Sequence, residues 1–128
     1  MNIQNKITAV FMSLLIVLTT VATAEALSIA FDPASVKPSD TTALVSWQTD
    51  EPSDSEVVYG NDSANAVNSE TNSSYSVNHS VLLQNLNVSQ TYFFKIISSN
   101  ENGTAELNNS DAYYSFITVP DTTPPFIN

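Results

Sequence analysis

The chain has 128 residues, with 13 Asp and Glu against three Lys and Arg, one histidine and no cysteine, and its formal charge is −10. A surface this acidic repels phosphate backbones and anionic headgroups, which excludes nucleic-acid binding as a function class. The missing cysteines exclude disulfides, so apolar packing alone must hold any fold.

Residues 1–24 read as a secretory signal: a polar start carrying Lys6, an apolar run over 7–22, and the small-residue exit Ala22-Thr23-Ala24. Cleavage is expected after Ala24, and the frame Ala24-Glu25-Ala26 offers a second cut after Ala26. The alternative is an uncleaved anchor, although the run is shorter than the ~20 apolar residues that span a bilayer and carries several threonines. Either reading places the rest of the chain outside the cell, secreted or at the cell surface, with membrane contact only through an uncleaved N-terminus. Removing the signal leaves 104 residues with a charge near −11. That is the size of one β-sandwich and too little for two cores.

Strand signals follow in order, as period-2 runs of β-branched and aromatic residues bounded by Pro, Asn, Asp and Ser. Residues 27–31 predict a short first strand closed by Asp32-Pro33. Residues 41–49 alternate Ala43, Val45 and Trp47 on a core face, and an acidic Pro/Ser turn separates them from a strand over 56–60 carrying Val57 and Tyr59. The polar stretch 61–78 predicts one or two weak edge strands at most. Residues 80–86 predict a strand with Val81 and Leu83 inward and Leu86 closing the turn; 91–99 give the strongest strand, with Tyr92, Phe94 and Ile96 on one face. Residues 113–119 supply the last strand through Tyr114, Phe116 and Thr118 or their alternates. No useful helical periodicity follows the signal. About seven short strands predict an all-β, immunoglobulin-like Greek-key sandwich over 27–119, followed by a Pro-rich linker or tail over 120–128. Its expected core is Trp47, Tyr59, Leu83, Leu86, Tyr92, Phe94, Ile96 and Phe116.

Several residues carry a family likeness: Trp47 in the second strand, Tyr59-Gly60, His79 ahead of the 80–86 strand, Leu86 six residues before Tyr92, and the ending Ser115-Phe116-Ile117-Thr118. Over 28–119 the chain resembles a fibronectin type III domain, of the variety at the front of purple acid phosphatases and in prokaryotic surface-protein repeats. The resemblance implies a buried Trp47, a structural His79, and a Tyr92 hydroxyl tied back to the turn backbone. Val88 and Ser89 stand where that turn usually has Pro and Gly.

Catalytic chemistry finds little purchase. Purple acid phosphatases hold their two metals in a separate domain with several His, Asp and Asn ligands, and this chain has one histidine and none of those motifs. No Gly-x-Ser-x-Gly elbow accompanies His79. No catalytic residue, cofactor or metal set is expected. The weak exception is the acidic group Asp50, Glu51, Asp54 and Glu56, whose oxygens suit calcium but lack EF-hand spacing, so a solvated loop is the alternative. Asn-x-Ser/Thr sequons begin at Asn61, Asn72, Asn78, Asn87, Asn102 and Asn108, acceptors for N-glycosylation where the machinery exists.

The expected function is a non-catalytic exported module acting as spacer, adhesion or binding domain. Its partners would be a protein or carbohydrate at the cell surface, or neighbouring domains of a longer chain. The tail Pro120-Asp-Thr-Thr-Pro-Pro-Phe-Ile resembles a hand-over to a next module, and Pro keeps such linkers extended. The alternatives are the accessory N-terminal domain of a purple-acid-phosphatase-like metallophosphoesterase whose catalytic domain lies beyond this chain, and a strand-exchanging filament subunit using residues 27–31 or Phe126-Ile127.

Overall fold

The computed structural model describes residues 17–21 and 23–125. The signal reading therefore falls largely outside the described residues, and so does Phe126-Ile127. Among the described residues no helix is long and apolar enough to cross a membrane.

The described residues form seven strands: β1 (Ile29–Ala30), β2 (Lys37–Pro38), β3 (Ala43–Gly60), β4 (Asn68–Leu83), β5 (Thr91–Asn100), β6 (Gly103–Leu107) and β7 (Tyr114–Ile117), with one 3-10 turn at Pro33–Ser35. Every ladder between them is antiparallel. This is the expected all-β class, and its central feature is a long ribbon of β3 and β4 that serves two layers.

The acidic segment expected as a turn between two strands does not end a strand. β3 runs unbroken through it. Residues 49–52 of β3 oppose only Val77 of β4, and then Asp54 alone opposes residues 73–75, so two bulges face each other across the ribbon. A bulge bends its strand and raises the local twist, and Pro52, lacking an N–H, sits where no ladder bond is required. Beyond the bend the ribbon enters the other layer. The first half of β3 carries β1 and β2 on one edge and residues 78–83 of β4 on the other. The second half pairs with residues 68–72 of β4 and, on its opposite edge, with β5, whose far side holds β6 and β7.

The core fills the space between these layers. Ala43, Val45, Trp47, Val81 and Leu83 come from one side, Val57, Tyr59, Tyr92, Phe94, Ile96 and Phe116 from the other, and Leu86 joins the same cluster. Aromatic rings interlock within it: Phe94 and Phe116 lie 5.8 Å apart, and Phe31 meets Phe94 edge-on at 6.0 Å. Each such side chain contributes about 1.5–3 kcal/mol on burial before ordering entropy is subtracted.

Two further differences from the expected elements have physical causes. The weak strands expected in 61–78 and the strand expected over 80–86 are one strand, β4, whose residues 68–75 are all exposed because they form a sheet edge with nothing packed outside. Strand β6 was not expected, since Gly-Thr-Ala-Glu-Leu shows no aromatic or β-branched alternation. It forms because β5 offers an open edge and a tight reversal pairs Asn100 with Gly103. Gly103 takes φ 141° at that reversal, a conformation open to glycine and strained for other residues.

Candidate functional site

Beside the apolar core lies a second, polar cluster: Thr49, Ser53, Ser55, His79 and Ser98 are all buried. Residues 49, 53 and 55 continue the inward-facing alternation of β3 through its bulge, and Ser98 continues that of β5. His79 lies directly across the ribbon from Trp47, and the two rings stack with centroids 5.0 Å apart at 8°. The indole Nε1–H donates to Ser98 Oγ at 3.0 Å, bonding the two layers through their interior.

The hydrogen-bond geometry assigns the imidazole tautomer. Thr49 Oγ1 donates its only proton to the Glu51 carbonyl at 2.7 Å. It must then accept from His79, whose Nε2 lies 2.8 Å away, so Nε2 carries the hydrogen. Nδ1 is the acceptor, and Ser55 Oγ donates to it at 2.7 Å. Ser53 Oγ lies 3.2 Å from Thr49 Oγ1 and closes the ring of hydroxyls. Among the described residues no buried side-chain polar atom is left without a partner. Burial holds the imidazole below its usual pKa, with the Asp54 carboxylate pulling weakly the other way.

A serine 2.7 Å from an imidazole nitrogen is the arrangement from which hydrolases raise a nucleophile. Here it is closed to substrate, because Ser55 and His79 are each only 4% exposed. The other imidazole nitrogen bonds a threonine, where a catalytic triad has a carboxylate. Structural cross-linking is what this cluster does chemically. Sequence reading singled out His79 alone; the hydroxyl partners carry a signal only in their parity with Val45, Trp47, Val57 and Tyr59.

The acidic candidates are dispersed. Asp50 Oδ1 accepts from the Ser28 N–H at 2.9 Å, and that bond holds the Asp50 carboxyl below its usual range. Asp54 Oδ1 accepts from the Ser99 N–H at 2.7 Å. Glu51 Oε2 accepts from the side-chain amides of Asn100 and Asn102, while Glu56 sits further along β3 opposite Thr71 and Ile97. Among the described residues no group of three or more His, Cys, Asp or Glu side chains is placed to hold a metal.

Of the sequon asparagines, five are exposed and Asn108 is half-buried. Asn72 lies within β4 opposite Ser55, in the stretch expected to hold weak edge strands. Asn78 is also on β4, and its Oδ1 accepts from Gln48 on the neighbouring strand at 2.8 Å.

The turn before β5 forms without its usual Pro and Gly. Tyr92 Oη accepts from the Asn87 N–H at 2.9 Å, tying the ring back to the turn as the resemblance implies. Ser89 takes φ 50°, the left-handed conformation that glycine would adopt freely. The buried Thr118 hydroxyl locks the corner to the last strand, accepting from the Gln90 N–H at 2.9 Å and donating to the Asn87 carbonyl at 2.6 Å.

Tyr92 and Thr118, which carry this corner, and the Trp47–His79 stack of the polar cluster all lie within the part of the chain that matches a known family. The model of the purple acid phosphatase N-terminal domain matches residues 32–118. No curated protein matches the chain. With about two thirds of its length aligned to that model, and the fold built as described, this chain belongs to the purple acid phosphatase N-terminal domain family.

Proposed function

We propose that the chain is a non-catalytic module, an exported spacer or binding domain that presents loops from a rigid sandwich at the cell surface. One observation carries this reading: the only histidine is enclosed and both its ring nitrogens are committed to hydroxyl partners. No general base or metal ligand is left for it to be. The family match favours a second reading, in which the same sandwich is the accessory front domain of a metallophosphoesterase. DNA beyond codon 128 separates the two: dimetal ligand motifs support the accessory domain, and further sandwich repeats support the surface array.

The test of the non-catalytic reading is purified chain, stripped with chelator and reloaded with ferric iron and zinc, assayed on p-nitrophenyl phosphate. Turnover no higher than a metal-only control is expected. Saturable turnover that co-elutes with the folded protein would overturn the reading. Export is checked by N-terminal sequencing of the protein recovered outside the cell. A start at Glu25 is expected, and a start at Met1 in a soluble fraction would contradict the signal.

A further inference from the structure

At the end of the sandwich where the β3 and β4 bulges meet the β5–β6 hairpin, Glu51, Pro52, Tyr75, Asn100, Glu101 and Asn102 line an open recess of about 550 Å³. Its polar groups are already fixed. Glu51 Oε2 accepts from Asn102 Nδ2 at 2.8 Å and from Asn100 Nδ2 at 3.2 Å, Asn100 Nδ2 also reaches the Pro52 carbonyl, and Asn100 Oδ1 accepts from the Asn102 N–H at 2.9 Å. Among the described residues, Glu51 Oε1 and Asn102 Oδ1 have no hydrogen-bond donor. Beside this amide–carboxylate array stands Tyr75, 62% exposed, a large flat ring left facing solvent.

We propose that this recess binds a neutral saccharide, an inference that rests on the reading of the chain as a non-catalytic binding module. An exposed tyrosine ring offers an apolar plane with a polar tip, which suits the C–H face of a pyranose. The free Glu51 and Asn102 oxygens accept from the hydroxyls at the ring's rim. Because the array is held by its own internal bonds, a sugar would order few side chains on binding. Charge selects the class. Neither Lys37 nor Lys95 lines the recess, Glu51 and Glu101 do, and the whole chain carries −10, so uronate, sialyl and sulfated glycans are repelled. A shallow site with one aromatic contact gives affinities of the order of millimolar.

The experiment uses unglycosylated, isotope-labelled chain from a bacterial host, titrated with cellotetraose, β-1,4-galactotetraose and N-acetylchitotriose, with trigalacturonate as the anionic control. At least one neutral sugar is expected to shift the backbone amides of Asn100, Glu101 and Asn102 saturably. Tyr75→Ala should weaken that binding about tenfold or more with the melting temperature unchanged, as for an exposed anchor. The proposal is overturned if no neutral sugar shifts those amides at tens of millimolar, if trigalacturonate binds as well, or if Tyr75→Ala and Asn102→Ala both leave the affinity unaltered. Failure here leaves the phosphate-ester result standing, so the two readings fail separately.

Discussion

At the residue scale, the molecule's unusual decision is to bury its one imidazole among hydroxyls. His79→Phe keeps a ring to stack on Trp47 but leaves the buried Ser55 hydroxyl without its acceptor, which should cost about 1–3 kcal/mol in a denaturant melt. An unchanged midpoint would contradict the network. The same burial sets a pH dependence. An unfolded histidine titrates near its ordinary value of 6.5, and the folded one lower. Below that pH the unfolded state takes up a proton the folded state refuses, so stability rises with pH through this window. The contribution is complete above 6.5 and drains on acidification until the folded imidazole itself protonates. The stability difference between wild type and His79→Phe should therefore shrink from about pH 7.5 to about pH 5, cancelling the carboxylates common to both; a difference that grew would reverse the sign of the shift. Ser89 is a second case, holding a left-handed turn without glycine's freedom. Ser89→Gly should stabilise by about 0.5–1 kcal/mol, relieved backbone strain outweighing the looser unfolded chain, and a lower melting temperature would refute that.

At the scale of elements, the β3–β4 ribbon explains both what was legible in the sequence and what was not. Strand β5 was plain, because its aromatic and β-branched residues alternate without interruption and every second one is buried. The two halves of β3 were equally plain, while the connection between them was not. Acidic, Pro- and Ser-rich composition signals a turn, and nothing local distinguishes a turn from a bulge whose pairing is decided by a strand some 25 residues away. β6 and the exposed half of β4 were obscured for a related reason: edge strands need no apolar face, so they leave no period-2 signal. The polar cluster was half hidden, since serine and threonine read as loop residues until their parity with the flanking core positions is counted. The bond that this cluster places between layers is testable as a coupling. Ser98→Ala strips the Trp47 indole of its acceptor and should cost about 1–3 kcal/mol, yet far less in a Trp47→Phe background. Additive losses would show that the two side chains do not act together.

For the whole molecule, the consequence is a scaffold stabilised at both ends of its interior. One end is aromatic and closed by the Tyr92–Thr118 corner; the other is polar and closed by the His79 ring of hydroxyls, with the Tyr75 recess outside it. A domain with no disulfide and a charge of −10 must resist its own repulsion by such packing. Internal hydrogen bonds between layers add to what hydrophobic burial supplies. The only histidine is a strut of this interior, with both ring nitrogens bonded to buried hydroxyls. Long-range nitrogen correlation spectra of His79, recorded as a pH titration, test that role. The structure predicts a neutral imidazole protonated on Nε2 with a midpoint below 6.5; protonation on Nδ1, or a midpoint at or above 6.5, would contradict it.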